Sequence, residues 1–284
     1  MPSKLRFLHT CFEQLFKPGD IIVSLFFCNV AQAKNEQIRI LLKDASKLAG
    51  IRNKRLANVL ASTQIARSNT PHSDCPGTIP LLIYPHYKYG NLKQFLRKTV
   101  SGGSDEHSAV VLTVDQLVSM GLQILSAVDY LHGMKIIHGD VATRNCLYAV
   151  VNVCEGLKPL VLRISDDSRR GLRMHEQIAD RIRPRLDIRY DVSLSDSALS
   201  RDLFPEDYHC LGDNTNRPIK WLAIEALVER KFSTATDVWS FGITMWELIT
   251  KGQQPYAMFD PFEMPNVLYA GYRLRQPPNC PDTL

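Results

Sequence analysis

The sequence predicts an α+β protein of two unequal lobes, an incomplete small β lobe followed by a large, mainly α-helical one. Three observations carry this expectation. Residues 21–31, Ile-Ile-Val-Ser-Leu-Phe-Phe-Cys-Asn-Val-Ala, are the most apolar run of the chain. They fall short of the ~20 residues a membrane helix needs and predict a buried strand. Beyond residue 91 the apolar spacing becomes helical. Finally, Trp239, Phe241, Ile243, Met245, Trp246, Leu248 and Ile249 make the segment after Asp237 apolar on most of its circumference, which predicts a helix enclosed on all sides.

Taken in order, Lys4 and Arg6 before the apolar run and Ala31-Gln-Ala33 after it imitate a secretory leader. Glu13, Lys17 and Asp20 make the leading region too long and too charged for one, so the strand is preferred. Asn91 is placed to cap a helix over Leu92 to Lys98, and a polar linker runs from Ser101 to Ser108. Thr113 with Gln116 forms a capping box ahead of an apolar face at Leu117, Met120, Ile124, Val128 and Leu131. At 284 residues and 45% hydrophobic composition, the chain can bury one large core.

The net charge of +5 owes much to residues 163–189, where eight arginines face five acidic residues. That run has no interleaved aromatic residue before Tyr190 and no zinc or helix-turn-helix signature, so no nucleic-acid partner is expected. Seven cysteines without C-x-x-C spacing suggest reduced thiols and a cytosolic face. No transmembrane segment is expected in this chain.

The window Ile136-Ile-His-Gly-Asp-Val-Ala-Thr-Arg-Asn145 resembles the H-R-D-L-x-x-x-N catalytic loop of protein kinases, with Gly139 in place of the arginine. The resemblance makes Asp140 the carboxylate that accepts the substrate proton and Asn145 a magnesium ligand. Gly139 has no guanidinium for a phosphorylated activation loop, so switching by loop phosphorylation is not expected. Asp237-Val-Trp-Ser-Phe-Gly242 resembles the D-x-W-S-x-G start of the large kinase helix, whose aspartate caps amides of the catalytic loop. Pro218-Ile-Lys-Trp-Leu-Ala-Ile-Glu225 resembles the end of a tyrosine-kinase activation segment, and Arg144 before Asn145 points to the same lineage.

The segment Ser195-Asp-Ser-Ala-Leu-Ser-Arg-Asp-Leu-Phe-Pro-Glu-Asp-Tyr-His-Cys-Leu-Gly-Asp213 is similar to the activation segment of the Ryk/Derailed family of atypical Wnt-receptor tyrosine-kinase homologues. Asp260-Pro-Phe-Glu-Met264, Gly271 to Pro281 and Tyr89-Gly-Asn-Leu-Lys-Gln-Phe-Leu96 extend the similarity. It implies a bilobal kinase-like domain over residues 29–284, with residues 1–28 unassigned. The small-lobe remnant is 29–84, the hinge 85–90 and the helical lobe 91–284.

Through the same resemblance Asp140, Arg144 and Asn145 are the catalytic set, and Asn145 and Asp196 the metal ligands. Tyr84 is the gatekeeper and, with Pro85 and Tyr87 of the hinge, would contact the nucleotide. Asp196-Ser197-Ala198 takes the D-F-G position. An insertion at about 150–190, roughly forty residues long, separates Asn145 from Asp196. It contains a rival aspartate, Asp166, and a weakly helical stretch from Met174 to Ile182.

The phosphate side is missing. Up to residue 50 the glycines are Gly19 and Gly50, so no glycine-rich loop can form, and Phe26 to Asn29 holds no lysine. Lys34 lies too near Asp44, which reads as a solvated helix carboxylate. ATP and magnesium binding is therefore expected to be weak or absent. Both ends of the domain look cut short, leaving Glu225 without its usual arginine and stability marginal.

The function expected is that of a pseudokinase acting through protein–protein interaction. The alternative is an active ATP-dependent tyrosine kinase represented by an incomplete chain. Signalling proteins are the expected partners, with Wnt bound only through extracellular parts absent from this sequence. The chain as written reads as cytoplasmic, and the full-length family implies the cytoplasmic face of the plasma membrane, with roles in axon guidance.

Overall fold

The structure is a computed structural model that describes residues 23–27, 35–66, 78–85, 87, 89–100, 111–152, 188–198, 200–213 and 215–282. In the small lobe, β1 (Val23–Phe27) and β3 (Ala61–Ala66) pair antiparallel with the two sides of β4 (Thr78–Pro85). Ser24 stands opposite Tyr84, and Ala61 opposite Ile83. Within the apolar run Val23–Phe27 thus forms a strand, and the sheet begins within the stretch left unassigned ahead of residue 29. Pro85 closes β4 opposite Val23.

Helix α1 (Asn35–Ser46) sends Leu41 and Ala45 against Leu82, Tyr84 and Ala198. This small cluster joins the small lobe to the segment that carries Asp196.

The second sheet has the order β2 (Leu56–Ala57), β6 (Ile188–Ser195), β5 (Cys146–Asn152), with β2 parallel and β5 antiparallel to the central strand. Its inner face, with Cys146, Val192 and Leu194, packs on α3 (Val114–Gly133) through Met120, Ile124 and Leu131. Leu92 and Leu96 of α2 (Leu92–Val100) complete the core, and Phe95 stacks on Tyr148 at 4.4 Å. Each fully buried leucine or isoleucine contributes about 1.5–3 kcal/mol of burial free energy.

Both expected caps are present. Asn91 Oδ1 accepts the amides of Lys93 at 2.9 Å and Gln94 at 3.3 Å. Thr113 Oγ1 accepts from the Gln116 amide at 3.2 Å while the Gln116 side chain takes the Thr113 amide at 3.0 Å.

The expectation that falls between β5 and β6, the insertion with Asp166 and Met174 to Ile182, lies outside the described residues apart from the flanking strands themselves. So do Lys34 and four of the seven cysteines, while Cys146, Cys210 and Cys280 are free thiols.

After β6 come α4 (Ser200–Leu203), the short hairpin β7 (His209–Cys210) and β8 (Asn216–Arg217), and α5 (Ile224–Val228). The long helix α6 (Thr234–Ile249) and α7 (Met264–Tyr269) follow. Trp221, Ile219, Ile243, Tyr256, Met264 and Leu268 form the second core of this lobe.

Helix α6 corrects one expectation. It is not enclosed on all sides, since Val238 is 57% exposed and Trp239 and Trp246 are only partly covered. Its buried side is largely polar: Thr236, Asp237, Ser240, Thr244 and Glu247. The reason is what covers it. Irregular backbone lies there and needs partners, so Ser240 donates to the Trp221 carbonyl at 2.8 Å and Thr244 to the Val141 carbonyl at 3.0 Å.

Candidate active site

The loop after α3 is held from below by Asp237, at the start of α6. Its carboxylate accepts the amides of His138 and Gly139, each at 2.8 Å, and meets His132 Nε2 at 3.0 Å. His138 is buried beneath the loop and uses both ring nitrogens. Nε2 lies 2.9 Å from the Ser195 carbonyl, and Nδ1 takes the Asp140 amide at 3.2 Å. That pattern requires the neutral ring with its proton on Nε2. Accordingly, burial holds the His138 pKa below the usual imidazole range despite the opposing carboxylate of Asp237.

Gly139 has φ +79°, a left-handed backbone that side chains rarely adopt. Glycine at this position is therefore more than a missing guanidinium, because it also suits a loop backbone that a side-chain-bearing residue adopts only at a cost. The Lys47 ammonium, from just beyond α1, reaches the same place and donates to the His138 carbonyl at 3.4 Å.

Asp140, Arg144 and Asn145 are brought together, all at most 4% exposed. One Asp140 oxygen pairs with the Arg144 guanidinium and the other accepts the Tyr208 hydroxyl at 2.6 Å. Burial alone would raise the Asp140 pKa, but Arg144 and then Tyr208 outweigh it and hold the group below the usual carboxylate range. Tyr208 also accepts from Arg144 Nε at 3.0 Å. Burial pushes the Tyr208 phenol well up, so it stays a donor.

The two expected metal ligands sit at the same end of the β5–β6 pair, Asn145 just before β5 and Asp196 just after β6. Asn145 Nδ2 donates to the Asp140 carbonyl at 2.5 Å, and Asn145 Oδ1 accepts the Ser200 hydroxyl. Asp196 is buried, with its oxygens 3.0 and 2.9 Å from the Tyr84 hydroxyl and its Oδ1 3.0 Å from the Ala198 amide. Burial pushes Asp196 up to about 6 against those hydrogen bonds. The residue expected as gatekeeper thus touches the aspartate expected at the D-F-G position. Of the hinge residues, Pro85 ends β4 and the Tyr87 carbonyl accepts the Gly90 amide at 3.0 Å. Burial raises the Tyr87 phenol.

Asp44 corrects a second expectation. It is 5% exposed rather than solvated. Arg201 of α4 pairs with it, and Lys47 stands 3.4 Å away, so two cations offset its desolvation. Below the loop, Lys93 is fully buried between Asp207 and Glu247, the latter at 3.8 Å. Glu247 also takes the Trp221 indole N–H at 2.9 Å and the Thr143 hydroxyl at 3.0 Å.

Both Asp196 oxygens and Asn145 Oδ1 accept hydrogen bonds from the chain, so a cation would have to compete with the Tyr84 and Ser200 hydroxyls for them. Among the described residues no group of three His, Cys, Asp or Glu side chains stands ready for a metal, and no helix is long and apolar enough to cross a membrane. Strand β1, Val-Ser-Leu-Phe-Phe, carries no lysine for a triphosphate. Sequence reasoning assigned no role to Tyr208, Ser200, Arg201 or Lys93. Tyr208 and Ser200 lay within the quoted activation-segment string, and their hydroxyls were its available signal.

The family model for protein tyrosine and serine/threonine kinases matches residues 23–284. The chain is 38% identical over 253 residues to mouse tyrosine-protein kinase RYK, which covers 89% of this chain and 34% of that protein. To tyrosine-protein kinase Dnt of Drosophila melanogaster it is 40% identical over 257 residues, 90% of this chain and 35% of that protein. To the inactive tyrosine-protein kinase RYK of Caenorhabditis elegans it is 42% identical over 214 residues, 74% of this chain and 30% of that protein. The chain spans about a third of the length of these curated relatives. Kinases of this family generally bind ATP and magnesium. The chain belongs to the protein tyrosine and serine/threonine kinase family, and its kinase domain is similar to those of RYK and Dnt.

Proposed function

We propose that this chain is a pseudokinase domain: a kinase-shaped signalling module that binds partner proteins and transfers phosphate poorly or not at all. One observation carries the reading. Asp140, the residue in the position of the catalytic base, has one oxygen on Arg144 and the other under the Tyr208 hydroxyl at 2.6 Å, so a substrate hydroxyl meets an occupied carboxylate. Phosphoryl transfer depends mainly on positioning and charge stabilisation. The β1 segment lacks a lysine, and Asp44 is committed to Arg201 instead. Weak or absent binding of ATP and magnesium follows.

The printed name of the worm relative, an inactive tyrosine-protein kinase, supports the same reading. Similarity to RYK and Dnt favours a place on the cytoplasmic face of the plasma membrane, within a longer Wnt-receptor-like protein whose outer parts would bind the ligand.

A second reading, a working tyrosine kinase, is favoured by the retention of Asp140, Arg144, Asn145 and Asp196 and by the names of the mouse and fly relatives. The two are separated by incubating the purified chain with ATP, magnesium and a tyrosine peptide. No labelling beyond that of Asp140→Asn is the result expected; labelling that Asp140→Asn abolishes would establish the enzyme.

A further inference from the structure

We propose that two hydroxyl side chains, Tyr84 and Ser200, stand in for a divalent cation in this cleft and shut it to metal. The inference rests on the pseudokinase reading and names the atoms responsible for one part of it.

The four groups involved are enclosed together: Tyr84 is 1% exposed, Asn145 2%, Ser200 3% and Asp196 4%. They arrive from four places in the chain, Asn145 from the 3-10 turn Thr143–Asn145 before β5. Tyr84 stands near the end of β4, Asp196 follows β6, and Ser200 opens α4. A buried carboxylate and a buried amide oxygen each require a positive partner. In a metal-binding cleft that partner is the ion, bound at ~2.0–2.1 Å in the case of magnesium, with several waters retained. Here the Tyr84 hydroxyl lies 3.0 and 2.9 Å from the two Asp196 oxygens, and the Ser200 hydroxyl faces Asn145 Oδ1.

Further contacts hold the same two side chains. The Ala198 amide donates to Asp196 Oδ1 at 3.0 Å, and Asn145 Nδ2 holds the Asp140 carbonyl. An entering ion would have to displace both hydroxyl contacts among side chains at most 4% exposed, with the Asp196 carboxylate as the charge it meets. The two hydroxyls supply what the ion would have supplied, partial positive charge on the same lone pairs, without any dependence on metal concentration. Tyr84 additionally ties the small lobe to the D-F-G position, so the substitution of hydroxyl for ion keeps the cleft assembled.

The test uses Mn²⁺ alone, titrated into the full chain and followed by the electron paramagnetic resonance signal of the free ion. The proteins are the wild type, Tyr84→Phe, Ser200→Ala, the double variant, and the double variant carrying Asp196→Asn. The wild type is expected to show no saturable binding. The double variant is expected to bind at least tenfold more tightly, and Asp196→Asn to abolish the gain. Tyr84→Phe removes one oxygen from a ring that otherwise keeps its place. If the double variant loses its cooperative melting transition, Tyr84→Phe alone decides, by gaining Asp196-dependent binding or not.

Saturable, Asp196-dependent binding by the wild type, or variants that gain nothing, overturns the proposal. The same samples are assayed for phosphate transfer from ATP. Transfer by the wild type would sink the pseudokinase reading, whereas the Mn²⁺ titration judges the hydroxyl caps independently.

Discussion

The Tyr208 hydroxyl donates to Asp140 Oδ2 at 2.6 Å while Arg144 Nε donates to the same tyrosine oxygen at 3.0 Å, so an activation-segment residue is wired into the catalytic loop. A hydrogen bond to a charged group contributes about 1.5–3 kcal/mol. Tyr208→Phe should therefore lower unfolding free energy by about that amount, read from the denaturant midpoint. Combined with Asp140→Asn, the two losses should be non-additive by about 0.5–3 kcal/mol, as expected for residues in one network. Simple additivity would show that the contact carries no energy.

Gly139 should resist restoration of the arginine that the catalytic-loop pattern carries. At φ +79° an added Cβ would meet nothing nearer than Phe232 at 3.9 Å and Lys47 at 4.0 Å, so the obstacle is backbone conformation rather than collision. The left-handed region costs a side-chain-bearing residue about 1–2 kcal/mol. Gly139→Ala and Gly139→Arg should both fall in that range by thermal melting. An alanine variant as stable as the wild type would mean that the loop adopts another backbone at no cost.

Acid should destabilise the fold through His138. Its pKa in the folded state is depressed by burial, whereas in the unfolded chain it returns to about 6.5. Below that value the unfolded state binds a proton the native ring refuses. Stability is thus fully present above pH ~6.5 and is lost as pH falls towards the depressed folded value, at a limiting slope of about 1.4 kcal/mol per pH unit. His138→Gln should flatten this part of the profile between pH 7.5 and 5, measured as the melting temperature at each pH. An unchanged slope would assign the acid sensitivity to other groups.

Lys93 has no exposed side-chain surface, and its ammonium lies 4.9 Å from the centre of the Trp221 ring as well as beside Asp207 and Glu247. Lys93→Met keeps the volume and removes the charge. Breaking one partner of a buried ion pair costs about 3–5 kcal/mol. The lower end is expected, because Arg144 remains 3.5 Å from Asp207. A loss under ~1 kcal/mol in a denaturant titration would mean that water reaches the freed carboxylates.

The legible parts of this molecule are those whose partners are close in sequence or fixed by a motif. The Thr113–Gln116 capping box, the Asn91 cap and the face of α3 follow from spacing alone. The grip of Asp237 on the catalytic loop followed from the resemblance. Asp44 did not, because the arginine that buries it lies 157 positions away, and a lone helical carboxylate looks solvated until that partner is placed. The Tyr84–Asp196 contact spans 112 positions and was equally invisible. In α6 the apolar residues were plain in the sequence, but which side would be covered depended on the irregular backbone packed there.

The β5–β6 register runs from Cys146 opposite Leu194 out to Asn152 opposite Ile188. Asn152 and Ile188 are therefore neighbours in space, and the residues between them start and finish side by side. Closure of such a stretch becomes dearer by only about 0.6 kcal/mol for each doubling of its length. Length at this junction is consequently almost neutral for the geometry of Asn145 and Asp196. The β5–β6 ladder, rather than the span that joins it, sets the spacing of those two residues.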